Sequence, residues 1–272
     1  MSKPKIAFFD FTSCEGCQLT VVDSLQTHLD LLEAVEIVQF REAMTDVPRG
    51  EDYQIAFVEG SCARKSDEER LMRIRERAAI VVALGACAHL GGVNAIRNGR
   101  PLEEVTTHVY DSSEWAEEPP PRRPRLNDYI LNMSPVAQPI EAIIKVDAVL
   151  PGCPIDREEF VRVTKQLLQG RRPTIPDYPM CVECKLKENV CLFHRGGVCL
   201  GPIARAGCGA ICPTYGDGCE GCRGIITNPN FDQMKKVLEE AGRTMDDIRA
   251  RFTLFNTVGM AQREQTAEGV AR

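Results

Sequence analysis

Aromatic side chains are scarce in this sequence: they make up 6% of it and include a single tryptophan, Trp115. No apolar run approaches the roughly 18 residues that a membrane-spanning helix needs, so no membrane span is expected. Residues 1–10, MSKPKIAFFD, have neither the long apolar stretch nor the small-residue cleavage site of a secretory signal, which points to a cytoplasmic chain. Basic stripes with interleaved aromatics are missing, and the formal net charge is −6, so nucleic acid is not an expected partner. The tight basic run Arg122, Arg123 and Arg125 follows Glu117, Glu118 and three prolines and reads as a solvated loop. There is no G-x-x-x-x-G-K-[ST] loop and no G-x-G-x-x-G after a strand, so no nucleotide or flavin site is expected. The histidines, His28, His89, His108 and His194, have no ligand-like spacing, and none is assigned to metal. No internal repeat is evident.

What the chain has in excess is cysteine, 13 in 272 residues. Eight of them stand between Cys181 and Cys222, spaced C-x2-C-x6-C-x7-C and then C-x3-C-P-x5-C-x2-C. Eight thiols make two sets of four, the number that a [4Fe–4S] cluster takes, and a Cys-Pro step such as Cys212-Pro213 is common at ferredoxin ligands. Gly and charged residues fill the gaps, so an ordinary hydrophobic core is not expected there and two inorganic clusters would serve as one. Two zinc sites of four cysteines each also fit the C-x2-C pairs. Disulfides would need an oxidising compartment that nothing else in the sequence suggests. Twelve cysteines would make three sets of four, leaving one over.

Taken in order, residues 5–10 read as a buried strand and about 18–33 as an amphipathic helix through Leu19, Val22, Leu25, Leu29 and Leu32. Further strands are expected at 35–40, 53–58, 79–84 and 145–150. A helix over 66–78 opens on Ser66 with Glu69 as a capping box, and another over 156–169 stops at Gly170. Alternation of this kind predicts an α/β, doubly wound parallel sheet with helices on both faces. Residues 98–143 read as a Pro-rich surface excursion with one short helix at most, and 171–180 as a linker. Phe231 to Ala241 is expected to be helical, and so is a short segment from Thr244 to about Phe252, with a polar tail fraying from Met260. Two domains follow, 1–170 and 171–272.

In a parallel sheet, ligands bind beyond the carboxyl ends of the strands. Cys14, Cys17, Cys62, Cys87 and Cys153 all stand just after a predicted strand. Five cysteines gathered on one rim, beside Gly-rich turns, argue for a third cluster.

Together these segments resemble the small subunit of [NiFe] hydrogenases, above all the cytosolic multimeric kind, such as sulfhydrogenase and F420-type enzymes. The matching pieces are Thr12-Ser13-Cys14-Glu15-Gly16-Cys17-Gln18-Leu19, Val58-Glu59-Gly60-Ser61, Leu84-Gly85-Ala86-Cys87, Pro151-Gly152-Cys153-Pro154, Cys199-Leu200-Gly201-Pro202, Arg205-Ala206-Gly207-Cys208 and Gly218-Cys219-Glu220-Gly221-Cys222. The resemblance implies a flavodoxin-like domain followed by an irregular ferredoxin-like cluster-binding domain with short C-terminal helices, and three [4Fe–4S] clusters. It implies Cys14, Cys17, Cys87 and Cys153 as ligands of a proximal cluster. For the medial cluster it implies Cys208, Cys212, Cys219 and Cys222, and for the distal one Cys181, Cys184, Cys191 and Cys199. Respiratory members place a His where Cys181 stands and a Pro near Cys212; thiolates at both positions imply three four-iron centres here. Cys62 departs from the family pattern and is a candidate neighbour of the proximal cluster, as is Glu15.

The resemblance implies no catalytic residue on this chain. Its expected role is to carry electrons between the Ni–Fe site of a separate large subunit and an acceptor subunit bearing flavin or Fe–S. The alternatives are a non-enzymatic ferredoxin-like carrier or a zinc-bound scaffold. The related quinone-reductase subunit resembles only the first half and has adjacent cysteines in its first motif, unlike Cys14-Glu15-Gly16-Cys17.

Overall fold

The computed structural model describes residues 2–45, 52–110 and 132–270. Its main sheet is built from β1 (Lys5–Asp10), β2 (Glu36–Phe40), β3 (Tyr53–Glu59), β5 (Ala78–Leu84) and β7 (Ala148–Leu150). All neighbouring pairs are parallel, in the order β2-β1-β3-β5-β7. Counting only these five strands, that is the flavodoxin-like order, which reverses direction between the first and third strands. Strands covered on both faces should read as continuous apolar runs rather than alternating ones. IAFF in β1, IAFV in β3 and VVAL in β5 do so, and they are buried on both sides.

One face packs against α1 (Gly16–Thr27), α2 (Leu29–Ala34) and α6 (Arg157–Leu168) around a cluster of phenylalanines. Phe8 lies 4.4 Å from Phe40 and 5.0 Å from Phe57 between ring centres, and Phe160 of α6 meets Phe57 edge-on at 5.5 Å. The other face packs against α3 (Lys65–Arg77) and α4 (Gly85–Leu90).

Several boundaries differ from the sequence reading, each for a local reason. The helix expected over 18–33 is two helices, because His28 leaves helical geometry at φ −116°, ψ 65°. Ser66 does not cap α3. Asp67 does so, its Oδ2 accepting the N–H groups of Ala63 (3.1 Å) and Arg64 (2.9 Å). β7 starts at Ala148 rather than Lys145, because Asp147 turns its carboxylate onto the Val81 N–H at 2.9 Å and onto Arg75. The excursion holds more structure than expected. After α5 (Leu102–Tyr110), β6 (Met133–Gln138) pairs antiparallel with the short β4 (Cys62–Arg64). Trp115 and the charged segment 117–125 lie outside the described residues.

The cysteine-rich half contains α7 (Cys181–Leu186), α8 (Ile211–Thr214), α9 (Phe231–Glu240) and α10 (Met245–Val270). Two expectations fail here. The last helix does not stop near Phe252 or fray from Met260; it continues to Val270, with non-helical geometry at Asn256, whose amide donates to Gly221 O at 3.2 Å. Nor is the half without an apolar core: Leu200 and Ile203 pack with Met234, Leu238, Ile248 and Phe252. Spacer residues between the cysteines, Leu200, Ile203, Ala204 and Ala210, supply one side of that cluster, and α9 and α10 supply the other. α10 also packs back onto the 3-10 turn Gly92–Gly99, beside the sheet rim. Among the described residues no helix is long and apolar enough to cross a membrane.

Because Phe160 links α6 to both Phe8 and Phe57, Phe160→Ala leaves a cavity in the middle of the first core. It is expected to destabilise the chain by about 3–5 kcal/mol, read as a lowered denaturation midpoint under anaerobic conditions.

Candidate functional site

The rim is fastened before any cofactor is considered. Phe11 N–H donates to Glu59 O at 2.9 Å, and Ala86 N–H to Gly152 O at 2.7 Å, tying the loops after β1, β3, β5 and β7 together. Asn94 adds its side-chain amide to Thr12 O (2.7 Å) and Ser61 Oγ (3.1 Å). The N-terminus of α1 carries Cys17 and is capped by a carboxylate from a different strand. Buried Glu59 accepts the N–H groups of Cys17 (3.1 Å) and Gln18 (3.0 Å). Burial raises the Glu59 carboxyl pKa, and those two donors oppose the rise. Gly85, at φ +84°, lets α4 close on α1, since a Cβ there would stand 2.4 Å from Cys17 Sγ.

Four rim cysteines meet. Burial pushes the Cys87 thiol up to about 12, with Cys153 and Cys14 adding to it. Burial likewise raises Cys17, with Glu59, Cys153 and Cys87 adding. The fifth, Cys62, does not join them. It is fully buried on β4, within the second apolar face beside Phe9 and Val58. Burial raises it to about 11, and the charges that add to this are Asp67 and Glu68, with no cysteine among them. The expectation of five thiols on one rim is therefore corrected to four, because the chain turns back into the second strand pair at Cys62. Glu15 has a left-handed backbone at φ 63°. Its carboxyl is raised by desolvation and by Glu42 and Asp10, against the pull of Arg41.

The tail forms two further groups. Burial pushes Cys181 up to about 12, reinforced by Cys199, Cys184 and Cys191. Gly201 sits against this group, where a Cβ would lie 3.0 Å from Cys181 Sγ and 3.3 Å from Cys199 Sγ. Burial pushes Cys222 up to about 12, reinforced by Cys208, Cys153 and Cys212. A cavity of about 230 Å³ is walled by Cys208, Cys212, Cys219 and Cys222, with Cys153 and Arg223 at its edge. The groups stand in series: Cys222 and rim Cys153 wall the same cavity, and Cys219 donates its N–H to Cys199 Sγ at 3.2 Å.

Acidic and basic side chains that sequence reading passed over hold these groups in place. Glu183 Oε1 accepts Gly207 N–H at 2.8 Å and Oε2 accepts Gly209 N–H at 2.9 Å, so the 181–199 group braces the loop of Cys208. Arg223, 2% exposed, donates Nη2 to both oxygens of buried Glu159 (3.0 and 2.8 Å), Nη1 to Pro151 O (2.8 Å) and Nε to Ala206 O (2.6 Å). Each partner is far away in sequence, and no local pattern marks them.

Chemically, each group gathers thiols, and burial raises Cys17, Cys87, Cys181, Cys199, Cys212, Cys219 and Cys222 among them. A metal deprotonates a coordinating thiol outright. A single zinc would draw four sulfurs to within about 2.3 Å of one point. Among the described residues no three Cys, His, Asp or Glu side chains converge closely enough to chelate one ion. Sets of four thiols also match the ligand number of a [4Fe–4S] cluster.

The sequence profile of the family described as NADH ubiquinone oxidoreductase, 20 kDa subunit, matches residues 14–167. The chain is 36% identical to the sulfhydrogenase 2 subunit delta of Pyrococcus furiosus, over 87% of this chain and 92% of that protein. It is 34% identical to the G subunit of the F420-non-reducing hydrogenase vhu of Methanocaldococcus jannaschii, over 93% of each. Among solved structures, a chain of an NAD+-reducing [NiFe]-hydrogenase in the H2-reduced state superposes with a TM-score of 0.55 at 32% identity, covering 64% of this chain and 96% of that one.

The placement of Cys62 gives a direct test. Cys62→Ala is expected to leave the metal content of anaerobically purified protein unchanged, while Cys87→Ala lowers it. Loss of metal from the Cys62 variant, with retention in the Cys87 variant, would reverse the assignment.

Proposed function

The chain belongs to the family of [NiFe]-hydrogenase small subunits, and from that premise we propose that it conducts electrons through three [4Fe–4S] clusters. The clusters would lie between the Ni–Fe site of a separate large subunit and an acceptor subunit bearing flavin or Fe–S. Cys14, Cys17, Cys87 and Cys153 would hold the proximal cluster, within residues 1–170. Residues 171–272 would hold the medial cluster on Cys208, Cys212, Cys219 and Cys222, and the distal one on Cys181, Cys184, Cys191 and Cys199. The observation that carries this reading is the serial arrangement of the groups, with Cys222 beside Cys153 and Cys219 hydrogen-bonded to Cys199. Reduced thiolates in such number suit the cytoplasm.

A [4Fe–4S] cluster, when bound, supplies a one-electron couple whose potential follows its hydrogen bonds and burial. The chain's own contribution is to exclude water and to aim donors at sulfur. Cys199 Sγ accepts backbone N–H groups from Gly201 (3.4 Å) and Cys219 (3.2 Å), which stabilise negative charge on it. Cys17 is held by the Glu59 cap rather than by its own helix, so its sulfur is pre-positioned.

Anaerobic analysis should give about twelve irons and twelve acid-labile sulfides per chain. Stoichiometric zinc, or about four irons, would refute the three-cluster reading. Purified without a partner, the chain should not exchange H/D from H2, because it carries no nickel site.

The 181–199 group has the composition of an exit. Cys191 is exposed, Leu186 is 79% exposed and Tyr215, just past the neighbouring α8, is 85% exposed. Asn189 joins the two segments through Thr214 Oγ1 at 3.0 Å. Lys185, Lys187 and Arg195 ring this surface and favour an acidic acceptor. Charge reversal at these three is expected to slow acceptor reduction by about tenfold at low salt. The effect should shrink as salt rises, while H/D exchange in the assembled complex stays unchanged.

A further inference from the structure

The three cysteine groups adjoin at two junctions. At the first, rim Cys153 and Cys222 of the tail wall the same cavity, with Arg223 beside them. At the second the backbone N–H of Cys219 donates to Cys199 Sγ at 3.2 Å. The second junction lies within the tail, where Leu200 N–H also bonds Cys219 O at 2.9 Å and both cysteines are buried. The first junction spans the two halves of the chain, and local backbone pairing does not hold it.

Arg223 holds it instead. It follows Cys222 directly, and its Nη1 reaches Pro151 O, two residues before Cys153. Its Nη2 takes both carboxylate oxygens of Glu159 on α6, and its Nε takes Ala206 O, two residues before Cys208. Gly207 makes room for it, since a Cβ there would stand 2.3 Å from Nη2. A guanidinium presents its donors in a rigid planar fork, which an ammonium cannot imitate. The two chain segments that carry Cys153 and Cys222 are thus fixed to one flat group.

We propose that electrons cross between the proximal and medial sites where Cys153 and Cys222 wall one cavity, and that Arg223, clamped by Glu159, is the positioning residue that sets this gap. The inference rests on the cluster reading above. One electron leaves the proximal set and one arrives at the medial set, and no bond breaks. The tail junction, Cys219 N–H···Sγ Cys199, serves the next step without Arg223. A static structural role for Arg223 would not distinguish between the two junctions.

The test uses the full chain, purified anaerobically and reduced with dithionite. Two variants are compared with the parent: Arg223→Lys, which keeps the charge and loses the fork, and the double variant Arg223→Met with Glu159→Gln, which leaves no charge buried alone. Iron content, EPR spin–spin splitting between adjacent clusters and the rate of intercluster equilibration after rapid mixing are read together. Retained iron, loss of the proximal–medial splitting with slower equilibration, and an unchanged medial–distal splitting are expected in both. Unchanged proximal–medial splitting and rate in variants that keep their iron would overturn the proposal. So would loss of iron in both variants, because Arg223 would then serve assembly rather than the gap. Failure of the underlying reading looks different: the parent protein itself would lack three clusters.

Discussion

A buried guanidinium bound to a buried carboxylate holds this molecule together as one object. Arg223 and Glu159 are each almost without solvent contact, and every nitrogen of the fork is used. Such a pair contributes little net stability compared with apolar packing, because both charges must be stripped of water. Breaking it on one side is costly, about 3–5 kcal/mol, because a bare charge is left behind. Its value here is geometric. Glu159 stands on α6, which Phe160 anchors into the sheet core, and Arg223 adjoins Cys222 in the tail. The position of the tail on the sheet follows from that bond, from the glycine that makes room for it and from α10 packing beside the rim.

The same physics recurs at smaller scale. Glu59 caps the helix of Cys17, Glu183 braces the loop of Cys208, and Asp67 caps α3 just beyond Cys62. Glu59 stands beside Cys17, whose thiol burial and that carboxylate raise together, and backbone N–H groups hold the carboxylate there.

The small aromatic content is concentrated where it matters. Phe8, Phe40, Phe57 and Phe160 form one contiguous stack beneath the rim, so the loops that carry the rim cysteines rest on a stiff support. The tail has no such stack. It borrows Met234, Leu238, Ile248 and Phe252 from the helices that follow the cysteines, which makes a core out of residues remote from the ligands.

The amino-acid sequence by itself determined what is encoded locally. The apolar runs at 5–10, 53–58 and 79–84 specify central strands, the cysteine spacings divide the tail into fours, and the post-strand position of Cys14, Cys17, Cys87 and Cys153 brings them to one rim. Only the tertiary structure decided what depends on residues far apart. Cys62 follows a strand as the others do, yet it faces the second core, because its strand pairs with residues 133–138. Ser66 has the local pattern of a cap, yet Asp67 carries the hydrogen bonds. The partners of Glu59, Glu183 and Arg223 are separated from them by 42, 24 and 64 residues, and a hydrogen bond across such a gap leaves no trace in spacing or periodicity. Periodicity records which face of an element is dry; which buried charges meet there is settled when the elements pack.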